Sequence, residues 1–266
     1  MNAPIERMTA KEDEQDMPAT SAIDTDSYTE NYTENYTENY TENYTENYTE
    51  NYTENDDSEE DDSSDEFAFS EAIDISDEQL IHWIKSRRTI GNLQEPAPTH
   101  EQIRAAIECA ATAPDHKKLR PWRFIITEGE ARQQFGQALL EAAEAQAIRE
   151  GETLADKTRQ KTLNLPMRAP MIVTVVTQMQ EHKKVPPFEQ MLSAGAAVQN
   201  LLLALMAQGY STVWRTGLLC NEPAVKAYFG IGDDDYVTAF VYTGTSSKKT
   251  PRRKPMDIEP LLRFES

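Results

Sequence analysis

Pro170-Met171-Ile172-Val173-Thr174-Val175-Val176-Thr177 is a continuous β-branched run with no charge and no polar alternation. Such a run reads as a strand buried on both faces, and it needs a covering layer on each side. Working outward, Phe188 to Gln208 is a long apolar helix closed by Gly209, with a stripe of Met191, Ala194, Val198, Leu201, Leu202 and Leu205. Gln190, Ser193, Gln199 and Asn200 interrupt it, which favours a buried core helix over a membrane span. Further strands are predicted at Trp122–Thr127, Thr212–Arg215 and Tyr236–Thr243, the last closed by Gly244. Further helices are predicted from Glu130 to about Arg149, from there to about Leu165, and from Pro223 to Phe229.

Two capping boxes open the helices that precede these strands. Ser76 with Gln79 starts one whose apolar face is Leu80, Ile81, Trp83 and Ile84; Thr99 with Gln102 starts another striped by Ile103, Ala106, Ile107 and Ala110. Residues 76–266 therefore read as one α+β domain with an adequate core.

Residues 1–75 have a different texture. Seven consecutive Tyr-Thr-Glu-Asn copies run from Tyr28 to Asn55, and an acidic run continues to Glu66. Thr and Asn are poor helix formers, and no aliphatic side chain is present to bury, so a disordered acidic tail is expected. A tandem expansion tolerated at a terminus explains the repeats more simply than a dedicated interaction arm. Their Asn-Tyr-Thr sequons carry no weight without secretion. No apolar leader is visible, so a cytoplasmic location is expected.

The charge is segregated in the same way. Residues 1–70 hold 22 Asp and Glu against Arg7 and Lys11 alone, a net of −20, whereas the remaining 24 acidic and 24 basic residues cancel. A neutral body beside an acidic tail argues against nucleic acid and anionic membrane as partners. Cys109 and Cys220 match no disulfide framework or zinc spacing; both lie in apolar segments where burial is expected, as in a reducing compartment.

Four segments are richer in polar groups than packing requires. Arg87-Arg88-Thr89 can grip a phosphate or carboxylate, though cations at a helix C-terminus also offset its dipole. The Pro-bounded loop Ala113–Trp122 carries five ionisable side chains, His116 among them. In Gln208–Gly217, Trp214 offers a flat face and Arg215 a donor fork, between glycines that permit close backbone approach. Lys248–Lys254 puts five cations in seven residues, enough to hold a phosphate or dock the acidic tail, or simply to form a soluble loop. There is no dinucleotide or Walker loop, no nucleophile elbow and no metal cluster. Arginine and backbone contacts without a Rossmann loop point to flavin mononucleotide more than to NAD.

Ser-Arg-Arg-Thr (86–89), Glu-Pro-Ala-Pro-Thr (95–99) and Ala-Pro-Asp-His-Lys-Lys-Leu-Arg-Pro-Trp-Arg-Phe (113–124) follow one another at the spacing of the nitroreductase family. Arg168-Ala169-Pro170, Lys184-Val185-Pro186, Met191–Gly195, Ala207-Gln208-Gly209 and Trp214-Arg215-Thr216-Gly217 continue the match. The chain resembles that family over about residues 77–245, in particular its compact YdjA-like branch. The resemblance implies an α+β sandwich with a central, mostly antiparallel sheet, an obligate homodimer with two FMN molecules at the interface. It implies ping-pong reduction of FMN by NADH or NADPH, followed by reduction of a nitroaromatic or quinone-like acceptor.

Carried over by position, Arg87, Arg88 and Thr89 match the flavin-binding Arg-Arg-Ser. Thr112 and His116 match positions reaching the flavin from the partner subunit, and Trp214, Arg215 and Thr216 match the second flavin segment. Ala204, Leu205, Met206, Ala207, Gln208 and Gly209 match a stretch associated with the nicotinamide cofactor. No residue is assigned to a metal or to proton transfer; Arg215 is the candidate for electrostatic support. Gly91 stands where many relatives carry Arg or Lys, and the helical segment around 141–162 is longer than in the compact branch. Two other readings remain open at this level. One is an FMN reductase of a specific non-nitro metabolite; the other is a flavin-binding protein with negligible turnover whose tail carries the function.

Overall fold

The computed structural model describes residues 75–265, apart from Lys249 and Pro251. The repeat tail, with its expected disorder, lies outside the described residues. Two short helices come first, α1 (Asp77–Ser86) and α2 (His100–Ala110). At each start the cap side chain accepts from the backbone of the residue three on, and that glutamine accepts back from the cap: Ser76 with Gln79, Thr99 with Gln102.

The sheet follows from the buried run. Strands β1 (Trp122–Glu128), β2 (Met171–Thr177), β3 (Ser211–Arg215) and β4 (Tyr236–Gly244) lie in the order β1-β2-β4-β3. Every pairing is antiparallel, with one register shift between Val175 and Val176. β2 has a neighbour on each side, and all seven of its residues are buried. Its two faces have different covers. Met171, Val173 and Val175 join Ile103, Ala106 and Ala110 of α2 and Ala194, Val198, Leu201 and Leu205 of α5 (Pro187–Ala207). Ile172 and Val176 join Phe135 and Leu139 of α3 (Ala131–Arg149) and Val225 of α6 (Pro223–Phe229). α5 is long and apolar enough to cross a membrane by composition, yet its stripe from Ala194 to Leu205 is spent on the sheet and α2, while Met191, expected in that stripe, is exposed near the helix start.

Helix α4 (Asp156–Leu163) packs on α3 at close range. A Cβ at Gly136 of α3 would lie 2.2 Å from the Leu163 carbonyl oxygen, so this contact has room only for glycine.

The segment after α1 is docked along the sheet edge. Thr89 bridges Thr212 of β3, Ile90 N–H donates to Thr212 O (3.1 Å), and Gln94 exchanges two 2.9 Å backbone hydrogen bonds with Thr245. The Arg-Arg-Thr motif is thereby fixed beside the start of β3.

Two burial expectations are corrected. The apolar face of α1 is poorly covered among the described residues: Leu80, Ile81 and Ile84 are 40–49% exposed and only Trp83 is half-buried. Periodicity identifies an apolar face but not what covers it. Cys109 is exposed, because its helical angle on α2 turns it away from the Ile103–Ala106–Ala110 stripe, whereas Cys220 is buried. Burial pushes the Cys220 thiol up to about 11.

Candidate functional site

The cationic part of the site forms where α1 ends. Arg253, from the segment beyond β4, donates through Nη2 to Arg87 O at 3.0 Å. Arg88 Nη1 donates to Lys85 O (2.7 Å) and Arg87 O (2.9 Å). The Arg88 guanidinium is held below its ordinary pKa by lost hydration first, then by Arg253 and Arg87. Like charges depress one another only when close, so three guanidinium-bearing residues share one small region. The Thr89 hydroxyl-bearing side chain follows directly, exposed. Of the Lys248–Lys254 cluster, Arg253 is thus brought to the predicted anion site.

β3 leads into the same region. Trp214 and Arg215 are successive strand residues and therefore point to opposite faces. The Trp214 indole is partly exposed, and its Nε1 donates to Thr238 O at 3.3 Å. The Arg215 guanidinium lies on the α3 and α6 side, its carbon 5.5 Å from the Tyr242 ring centroid, and its Nε is buried without a hydrogen-bond partner. Thr216 is exposed just beyond. Beside them is a cavity of about 370 Å³, lined by Gly91, Leu93, Arg168, Arg215 and Tyr242 among others.

Thr112 and His116 are elsewhere in the protomer. Thr112 closes α2 by donating to Cys109 O (2.8 Å), and Asn200 in the middle of α5 reaches its hydroxyl at 3.4 Å. His116 Nδ1 sits 2.7 Å from Glu189 Oε2 in the first turn of α5. The loop between is firmly built. Asp115 Oδ2 accepts from Arg120 N (2.6 Å), Ser193 Oγ donates to Pro114 O (2.7 Å), and Gln180 Nε2 donates to Leu119 O (2.7 Å). Lys117, Lys118 and Arg120 adopt left-handed φ of 60°, 54° and 50°. Three non-glycine residues in that region within one short loop mark a conformation fixed by its surroundings.

His116 and the arginine cluster lie near opposite ends of α5, while Thr112 lies against Asn200 between them. Met206 Sδ is 3.8 Å from Ser86 Oγ, next to Arg87, whereas Glu189 holds His116. At 1.5 Å per residue, the span from Glu189 to Met206 is about 25 Å. The structure docks Arg87-Arg88-Thr89 at Thr212, two residues before Trp214-Arg215-Thr216, and does not bring His116 to them within one protomer.

The Ala204–Gly209 stretch is mostly committed to packing. Leu205 is fully buried in the core and Ala204 packs against it. Gln208 Nε2 donates to Gln102 O at 2.9 Å. Met206, Ala207 and Gly209 present the accessible surface. Arg168 and Tyr242 border the site without a role read from the sequence. Arg168 sits in a matched Arg-Ala-Pro triplet, a usable signal, but Tyr242 reads only as a core aromatic of a strand. Among the described residues, no group of three or more His, Cys, Asp or Glu is placed to hold a metal.

A model described as the Nitroreductase family matches residues 84–245. The Escherichia coli K12 protein named "Putative NAD(P)H nitroreductase YdjA" is 42% identical over 164 residues, covering 62% of this chain and 86% of that protein. A nitroreductase-like family protein from Bacillus cereus superposes with a TM-score of 0.60 at 19% identity, covering 70% of this chain and 95% of the other. The FMN-dependent nitroreductase NfnB from Mycobacterium smegmatis, solved with NADPH, gives 0.54 at 20% identity, covering 70% and 98%. At these identities the two structures speak to the fold: the four-stranded antiparallel sheet with helices on both faces is nitroreductase-like.

Proposed function

The chain belongs to the nitroreductase family, and from that premise we propose that it is an FMN-dependent oxidoreductase. It takes electrons from NADH or NADPH and passes them to a small nitroaromatic or quinone-like acceptor. The observation that carries this reading is the docking of the Arg87-Arg88-Thr89 segment, with Arg253 on Arg87 O, against Thr212 of β3, the strand whose Arg215 lines an open cavity.

The donor set fits a flavin mononucleotide. Three guanidinium-bearing residues and a hydroxyl suit a phosphate dianion. The orphaned Arg215 Nε, buried at the cavity, fits a carbonyl-bearing ring, since a buried donor left unpaired is unfavourable by about 1–3 kcal/mol. When bound, FMN supplies the hydride-accepting and hydride-donating ring that links nicotinamide to acceptor. The protein binds, orients and shields. Arg87, Arg88 and Arg253 anchor the phosphate. Trp214, on the opposite face of β3, is held by its bond to Thr238 O and fixes the strand end that carries Arg215. Arg215, steadied over the Tyr242 ring, holds positive charge where reduction adds negative charge. No side chain is required to carry a proton between groups for the hydride transfer itself.

The span of about 25 Å along α5 from Glu189, which holds His116, to Met206, beside Ser86, supports a homodimer. A partner protomer brings its own Thr112 and His116 to the cofactor held by Arg87 and Arg215. The free thiols, Cys109 and Cys220, agree with a cytoplasmic setting.

FMN binding tests the reading. R87A and R253A are each expected to weaken FMN affinity at least tenfold, the scale of one hydrogen bond to a charged group, by fluorescence quenching titration. Wild-type affinity in both variants would remove the phosphate assignment.

A further inference from the structure

The cavity beside Gly91 holds chemistry that anchoring a phosphate does not use. Two arginines line it, Arg168 and Arg215, and no Asp or Glu is among its lining residues. Neither guanidinium makes a salt bridge with any described residue. Tyr242 is 3% exposed and lies against both cations. Burial pushes its phenol up to about 12, while Arg215 and then Arg168 pull the other way. Arg168, Arg215 and Tyr242 line the same cavity, so both positive charges face it. Leu93 and Val213 supply apolar wall, where a charge acts more strongly than in water.

Gly91 explains how Arg168 has access. Its φ is not in the left-handed region, and a Cβ there would meet nothing within 4 Å. Neither backbone conformation nor close packing requires glycine. Its effect is to leave that part of the cavity lining without a side chain. Arg168, another lining residue, has a rigid support: it ends the short helical turn Pro166–Arg168, and the next carbonyl, Ala169 O, accepts from Arg132 Nη1 at 2.7 Å. The cavity begins three residues beyond Arg88, about 10 Å along an extended segment. That separation suits the ribityl chain between a flavin's phosphate and its ring.

We propose that Arg168, acting with Arg215, forms the cationic end of the ring site and favours reduced over oxidised FMN. The inference rests on the functional reading above and adds to it a residue and a property. Oxidised flavin is neutral in its ring; uptake of two electrons and one proton leaves one net negative charge there. A cation at the ring's end therefore binds the reduced form better. Arg168 takes the place of a cation that position 91 does not provide.

The test is the reduction potential of bound FMN, by dye equilibration, in the full chain and in R168Q, R168K and R168Q/G91K. R168Q is expected to bind oxidised FMN within about threefold of the wild type and reduced FMN about tenfold more weakly. That tenfold change is about 30 mV for a two-electron couple. R168K is expected to keep most of the wild-type potential. R168Q/G91K is expected to regain at least half of the lost potential, because the introduced amine enters open space. A purely structural role for Arg168 would give no such rescue. An unchanged potential in R168Q, equal losses for both oxidation states, or no recovery in R168Q/G91K would overturn the assignment. If the wild-type chain retains no FMN, the functional reading fails, and this assignment with it.

Discussion

Tyr242 and Cys220 show what a single buried ionisable group does to stability. Burial holds the Tyr242 phenol at about 12 against an ordinary value of 10.0, and the Cys220 thiol at about 11 against 9.0. Both groups are neutral when protonated, so the fold binds these protons more tightly than the unfolded chain does. Their contribution is fully present below pH 9 and is lost as pH rises, from 9 to 11 for Cys220 and from 10 to 12 for Tyr242. Each group takes away about 1.4 kcal/mol per pH unit within its window. Urea midpoints between pH 8 and 11.5 are expected to fall from about pH 9, and Y242F to flatten the part above pH 10 only. A wild-type slope above pH 10 retained in Y242F would contradict the assignment. Residues also mark where sequence reading is weakest. Arg87, Arg88 and Thr89 were legible because three polar residues in a row at a helix end have few packing uses. Tyr242 was not, because an aromatic in a strand looks the same whether it fills the core or lines a cavity.

At the scale of elements, the β2 run announced its own position, since a charge-free β-branched strand is stable only with a layer on each side. The capping boxes at Ser76 and Thr99 likewise fixed two helix starts, because their hydrogen bonds are local. Coverage was not legible. The stripe of α1 is a correct helical face, yet Leu80, Ile81 and Ile84 stay exposed, as burial depends on neighbours distant in sequence. Gly136 is a further case, unremarkable within an Ala-rich helix. Its Cβ position lies 2.2 Å from a backbone oxygen of α4, so G136A must push the helices apart. Overpacking of this kind usually lowers stability by about 1–3 kcal/mol, and a denaturant midpoint shift of that size is expected. An unchanged midpoint would mean that α4 moves freely relative to α3.

For the whole molecule, the decisive geometry is the 21-residue α5, with the arginine cluster beside one end and the His116 loop beside the other. Sequence adjacency and family resemblance named both groups, but only the fold places Arg87 and His116 near opposite ends of α5. This makes intersubunit complementation a specific expectation. R87A and H116A homodimers are each expected to lose most turnover. Mixed dimers are expected to recover up to half, since one of their two sites is then built from intact residues. No recovery on mixing, with heterodimers verified by mass, would show that His116 does not act across the interface.

The central claim is that the chain carries FMN and exchanges electrons with reduced nicotinamide. It is tested most directly by loading the full-length protein with FMN, desalting, and recording the visible spectrum anaerobically before and after NADPH, then NADH. The account predicts a retained oxidised flavin band that bleaches with at least one nucleotide and returns when a quinone is added. Loss of all flavin on desalting, or a retained band that neither nucleotide bleaches, would contradict it.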